Sequence, residues 1–158
     1  MQVKIHFISE EVKKMYASAG VMEAKSSGFD LINVEELKFT KENPFLLVNL
    51  GVVIQLPENY HALLIPRSST FKNYRLIQTN HVGLIDESYC GIKDVWQFPA
   101  LWIHEGKESL SIPAGTRLCQ FIIQPRHDIL FFNPDTKEIN SFIPSENSRG
   151  GIGSTNKK

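Results

Sequence analysis

An all-β sandwich or barrel is the fold class that this sequence predicts. Three observations carry it. Short stretches with strand-like patterning recur along the chain, turns rich in proline and glycine part them, and little of the chain has a helical pattern. The 158 residues suit one domain of ordinary size, and a hydrophobic share of 42% is enough for a true core.

The elements follow in order. Val3, Ile5 and Phe7 alternate with Gln2, Lys4 and His6, the period of two that marks a strand. Ser9 is placed to cap a short helical turn with Glu10 and Glu11 in its first turn, and Ala17-Ser18-Ala19-Gly20 reads as loop. Residues 45–56 are strongly apolar, with Gly51 marking a bulge or a close backbone approach. Leu56-Pro57-Glu58-Asn59 is a turn, and residues 60–65 return as a strand, so a hairpin is expected there. Phe71, Tyr74 and Ile77 have near-helical spacing and read as core packing. Over residues 95–103, Trp96, Phe98, Ala100 and Trp102 share one face of a strand, and Pro99 predicts an edge or bulged strand. Ile112-Pro113-Ala114-Gly115 is a further turn, residues 117–123 a mostly buried strand, and residues 129–132 a last short one. From Ser141 the composition becomes that of a flexible tail, so the expected division is a β domain over 1–140 and a Gly-rich tail over 141–158.

Composition excludes several classes. Lys plus Arg and Asp plus Glu stand at 17 each, so no basic excess suggests general nucleic-acid binding. No apolar run approaches the roughly 18 residues of a membrane span, and the N-terminus is no signal peptide. Two distant cysteines, Cys90 and Cys119, suggest a reduced, cytoplasmic protein rather than a disulfide scaffold. Five scattered histidines lack the spacing of a zinc site.

Two blocks carry chemistry. Pro66-Arg67-Ser68-Ser69-Thr70 follows an apolar strand and precedes a stretch where a short helix begins at Ser68 or Ser69. Unpaired N–H groups at a helix start suit an anion, and the Arg67 fork matches phosphate oxygens. Taken alone, such serines are more often simple caps. The second block joins Asn80 to Gly83-Leu84-Ile85-Asp86-Glu87-Ser88-Tyr89-Cys90-Gly91, with one carboxylate, Asp86, after an apolar pair and before a turn. In the tail, Arg149-Gly150-Gly151-Ile152-Gly153-Ser154-Thr155 offers free N–H groups to oxygens.

Together these blocks resemble the trimeric dUTP pyrophosphatases (dUTPases), with counterparts of that family's five motifs in order. The resemblance implies a distorted jelly-roll β-barrel forming a homotrimer with active sites shared between subunits. It implies hydrolysis of dUTP to dUMP and pyrophosphate, with Mg2+ on the triphosphate and Asp86 as the base that activates the attacking water. Asp30, in Gly28-Phe29-Asp30-Leu31, would hold waters around the metal. Arg67, Ser68 and Ser69 would bind phosphate. Gln120 reads equally as a phosphate ligand or as an amide paired within the sheet. Arg149, Gly150, Gly151, Ser154 and Thr155 would close over the triphosphate. Asn80 and the arm Gly83, Leu84 and Ile85 would read the uracil edge, and Tyr89 would pack on the deoxyribose and exclude a ribose. The tail is one residue shorter than the commonest pattern, and Ile152 stands where an aromatic usually covers the base; this is closest to members from Bacillus and its phages. Trp96 is the expected substitute. Two alternatives belong to the same fold: a dCTP deaminase, and a phage-type dUTPase that also regulates through a protein partner.

Overall fold

The structure, a computed structural model, describes residues 2–21, 26–127 and 129. Its order is β1 (Lys4–Phe7), α1 (Glu10–Ser18), β2 (Phe29–Ile32), β3 (Leu37–Thr40), β4 (Phe45–Asn49), β5 (Val52–Gln55), β6 (Tyr60–Pro66), α2 (Thr70–Tyr74), β7 (Leu76–Gln78), β8 (Gly83–Asp86), β9 (Gln97–Trp102), β10 (Ser109–Ile112) and β11 (Arg117–Pro125). The strands form four antiparallel sheets: β2-β11-β6-β8, β4-β9-β7, β1-β5 and β3-β10. The all-β expectation holds.

The core lies between the inward faces. Ile32, Phe39, Leu50, Trp96, Phe98, Ala100 and Leu118 are fully buried in it. In β9 the buried residues are those the alternation assigns to one face. Ser9 caps α1, its Oγ accepting from the Val12 N–H at 3.2 Å. The helix runs through Ala17 and Ser18, which the sequence assigns to loop. It continues because Tyr16 anchors its last turn: the Tyr16 hydroxyl donates to the Leu50 carbonyl at 2.7 Å and accepts from the Ile32 N–H at 3.4 Å. That bond ties α1 to β2.

Gly51 separates β4 from β5 with φ +68°, and a Cβ there would stand 2.5 Å from Val34 Cγ1. Both reasons for glycine therefore apply at once, left-handed backbone and close approach. Beyond β5, the turn at Pro57 forms as expected, with the Tyr60 N–H donating to the Pro57 carbonyl at 3.2 Å. The expected hairpin does not. β5 pairs with β1, whereas β6 pairs with β11 and β8. The turn passes the chain from one sheet to another, a corner that adjacency in sequence does not distinguish from a hairpin.

Two further expectations are corrected. Phe71 and Ile77 are exposed rather than core residues, because α2 ends at Tyr74 and Ile77 falls on the outward side of β7. The chain turns at Arg75, φ +56°, so helical spacing does not extend across the stripe. β9 is the central strand of its sheet despite Pro99. The Pro99 carbonyl accepts from Thr79, just past the end of β7. In an antiparallel strand N–H and C=O of one residue face the same neighbour, so the missing donor falls where β7 has already ended.

Candidate functional site

One polar cleft of about 260 Å³ gathers residues from four separate stretches: Gly20; Gly28 and Asp30; Arg67 and Ser68; and Arg117 and Gln120. The sheet explains the gathering. β11 lies between β2 and β6, with Gln120 opposite Asp30 on one side and Ile65 on the other. The β2–β11 register shifts between Arg117 and Cys119. Leu118 and Cys119 are consecutively buried there, as an extra residue in the strand requires. The shift puts Arg117 and Gln120, three residues apart, on the same cleft.

Asp30 sits at the centre. Its Oδ1 lies 2.9 Å from Arg67 Nε and its Oδ2 3.5 Å from Arg117 Nη1. Among the described residues, two guanidiniums against one carboxylate line the cleft and leave it net positive, suited to a polyanion. Arg67 is held in place through the Leu118 carbonyl, which accepts from the Arg67 N–H at 3.3 Å and from the buried Thr70 hydroxyl at 2.5 Å. Arg117 is held through Asn33, fully buried at the end of β2. Asn33 Nδ2 donates to the Pro113 carbonyl at 3.0 Å, and its Oδ1 accepts from the Thr116 N–H at 2.8 Å. Arg117 also donates to the Ala19 carbonyl. Gly28 makes room for Gln120, whose Oε1 would stand 2.5 Å from any Cβ at that position.

The helix-start reading of the serines is modified. α2 has five residues, Ser69 is its N-cap, and Ser69 makes no side-chain cap hydrogen bond. So short a helix contributes little dipole. The cleft's positive character rests on Arg67 and Arg117.

The second block forms a separate cluster. β8 pairs with β6, placing Asp86 opposite His61 and Gly83 opposite Leu64. Asp86, Leu84 and Tyr89 are exposed, and the Tyr89 N–H donates to the Asp86 carbonyl at 3.1 Å in the turn that follows. Glu87 is occupied elsewhere, accepting from the Asn59 N–H and pairing with Arg126 Nη1 at 3.2 Å. Asn80 stands at the start of the arm, its Oδ1 accepting from Gln78 Nε2 at 2.8 Å.

Thus the structure brings Asp30, Arg67, Ser68 and Gln120 together, and Asn80, Gly83, Leu84, Ile85, Asp86 and Tyr89 together. It does not join the two groups within one chain. His61, opposite Asp86, and Pro66, ahead of Arg67, are five residues apart on β6, roughly 16 Å at about 3.3 Å per residue. Trp96 joins neither group. It is 0% exposed, edge-on to Phe121 at 5.1 Å between ring centroids, so no face of its indole is open to a base. The expectation that it covers uracil is corrected: the alternation that put it on a strand face put it on the inward one. Arg149, Gly150, Gly151, Ser154 and Thr155 lie outside the described residues, as does the strand expected over 129–132 apart from Ile129.

The sequence alone assigns no site role to Arg117, Asn33 or Gln78. Arg117 had a signal, an arginine three residues before Gln120, but the bulge that aligns them has none. Among the described residues no group of three or more His, Cys, Asp or Glu side chains is arranged to hold a metal. No described helix is long and apolar enough to cross a membrane. Burial pushes the Cys119 thiol up from its ordinary value, which makes it an inert core residue.

A family model described as dUTPase matches residues 19–156. The SPbeta prophage-derived deoxyuridine 5'-triphosphate nucleotidohydrolase YosS of Bacillus subtilis is 39% identical over 158 residues, covering 100% of both chains. The deoxyuridine 5'-triphosphate nucleotidohydrolase of Clostridium kluyveri is 31% identical over 98% of both. Among solved structures, a dUTPase of Staphylococcus bacteriophage 80alpha superposes with a TM-score of 0.65 at 17% identity, over 89% of this chain and 99% of that one. The shared fold bears out the jelly-roll barrel expected from the sequence. The matched span contains both residue clusters, and with full-length relatives above 30% identity the chain belongs to the dUTPase family.

Proposed function

We propose that this chain is a dUTP diphosphatase, hydrolysing dUTP to dUMP and pyrophosphate at sites shared between copies in a homotrimer. One observation carries the reading: a cationic cleft and an exposed carboxylate, both needed for the reaction, are held at opposite ends of β6. A second copy that sets one chain's Asp86 against another's cleft resolves the separation. The outer face of the β4-β9-β7 sheet supports assembly. Phe45, Leu101 and Ile77 lie in one register across it, and Leu47 is 55% exposed. An apolar face of this kind is suited to burial against another copy.

In this reading Asp86 takes a proton from a water whose oxygen attacks the α-phosphorus. The bond from that phosphorus to the bridging oxygen breaks, and pyrophosphate leaves. Arg67, Arg117 and the Ser68 hydroxyl bind the phosphates and neutralise the charge that develops on the leaving group. Gln120 adds an amide donor, and Ser69 supports the loop. Arg149, Gly150, Gly151, Ser154 and Thr155 complete the enclosure from the tail. Asn80 and the backbone of Gly83, Leu84 and Ile85 read the uracil edge, and Tyr89 packs on the sugar.

Mg2+ fits as a companion of the substrate. Among the described residues Asp30 is the one carboxylate lining the cleft and is already paired with two arginines, so it suits a water-mediated contact and not a protein cage. Bound with the triphosphate, the ion would neutralise phosphate charge and align the chain.

The test is pyrophosphate release across the four deoxynucleoside triphosphates and dUTP, with and without Mg2+. Activity confined to dUTP is expected, and ammonia from dCTP would instead indicate a deaminase. Phage dUTPases, that of Staphylococcus bacteriophage 80alpha among them, control transfer of virulence genes by a proto-oncogenic G protein-like mechanism. A regulatory partner for this chain would be sought by pull-down with and without dUTP.

A further inference from the structure

Gln78 is a buried amide to which the proposed chemistry gives no task. It lies at the end of β7, 4% exposed, and donates through Nε2 to the Leu64 carbonyl at 3.1 Å and to Asn80 Oδ1 at 2.8 Å. Its own Oε1 has no hydrogen-bond partner among the described residues. A buried acceptor left unpaired is a net cost, so an apolar residue would serve this position better if filling space were its only role.

The orientation of both amides follows from donor and acceptor chemistry. A backbone carbonyl can only accept, so the Gln78 atom facing Leu64 is the nitrogen. That nitrogen carries two protons. The second is directed at Asn80, and an N–H cannot face another amino group, so the Asn80 atom receiving it is the oxygen. The Asn80 side chain is thereby fixed with Oδ1 spent inside the protein and Nδ2 remaining. Nδ2 stands beside the arm that begins at Gly83, where an added Cβ would be 3.7 Å from Asn80 Nδ2 and 3.6 Å from Gln78 Nε2. Asn80 itself is exposed.

We propose that Gln78 is a positioning residue for base selectivity, locking the Asn80 amide with its donor outward so that it accepts a base bearing a carbonyl oxygen at C4 and refuses one bearing an amino group there. The inference rests on the dUTP reading above and deepens it. Uracil and cytosine differ at C4 in this sense, oxygen against amino. Without Gln78 the Asn80 amide is free to turn by 180° and present either end. Selectivity built on fixed polar groups is strong because the wrong base leaves them unpaired.

The test compares the unaltered protein with Gln78→Met, which keeps length and volume but removes the donor. Turnover of dUTP by the unaltered protein is measured first; its absence overturns the dUTP reading. Given that turnover, the ratio of kcat/KM for dUTP over dCTP is expected to fall at least tenfold in Gln78→Met, chiefly through KM for dUTP. In an Asn80→Ala background the same change should add nothing further, because Gln78 acts through Asn80. A folded Gln78→Met protein with an unchanged ratio, or effects that add in full, overturns the inference alone. Should Gln78→Met not fold, side-chain amide NMR of the unaltered protein decides. Slowly exchanging Gln78 Nε2 protons, and Asn80 Nδ2 protons that shift on adding dUMP, support the inference. Gln78 protons exchanging at the solvent rate, or Asn80 protons that ignore bound dUMP, overturn it.

Discussion

Arg67 follows the last residue of β6, and Asp86 pairs across from His61 near its first. One strand therefore holds the arginine proposed to bind phosphate and the proposed base apart. If sites are completed between copies, two inactive variants should rescue each other. Asp86→Asn protein and Arg67→Ala protein, each expected to lose about 100-fold or more of turnover alone, are unfolded together and refolded as a mixture. Random assembly pairs an intact Asp86 with an intact cleft in about a quarter of sites. Activity near that fraction is expected. A mixture as inactive as its components would mean that the site is not shared in this way.

Trp96 tests the opposite kind of claim. Its indole N–H is buried without a partner among the described residues, and its ring packs edge-on to Phe121. Trp96→Ala should lower stability by about 3–5 kcal/mol through the cavity it leaves. Trp96→Phe should cost much less, since the ring contact persists and the unpartnered N–H goes. Denaturant unfolding measures both. Nucleotide affinity of the Phe variant should match the parent protein, and a tenfold loss would return Trp96 to the binding site.

Gly28 is expected to act through Gln120. Since a Cβ would meet the end of a flexible side chain, Gly28→Ala should change stability by about 1 kcal/mol or less. It should raise KM several-fold by pushing Gln120 out of the cleft. This separates the two readings of Gln120: an amide used only within the sheet would leave KM unmoved.

How much of this was legible in the sequence depends on the range of the interaction. Alternation in β9 and the cap at Ser9 are local, and both were readable. So were the two chemical blocks, because each is contiguous. The corner after Gln55, the bulge between Arg117 and Cys119, and the roles of Asn33 and Gln78 depend on strands far apart in the chain. Trp96 shows the limit of periodicity. It assigns residues to a common face without saying which face is inside, and an unusual tail made the wrong side attractive.

Tyr89 is 41% exposed in the turn after β8, so its ring is available to a ligand and not committed to the core. Tyr89→Ala should leave stability within about 0.5 kcal/mol. It should raise the relative rate on UTP against dUTP at least tenfold, measured by pyrophosphate release. Unchanged discrimination would exclude the sugar contact.

Asp30 carries the last prediction, because its geometry admits two roles. Its side chain is 18% exposed between the Arg67 and Arg117 guanidiniums, which are 32% and 43% exposed. As a tether it neutralises two neighbouring cations and fixes their approach to the substrate. As a partner of a hydrated Mg2+ it would spend its remaining lone pairs on water. Asp30→Asn keeps the shape and removes the charge. Ion pairs this open to solvent are worth about 1 kcal/mol or less each, so the loss of stability should be of that order. The two roles part on the metal. With both at work, the Mg2+ concentration for half-maximal activity should rise about tenfold or more at saturating dUTP. With a tether alone, KM for dUTP changes while the Mg2+ dependence stays where it was.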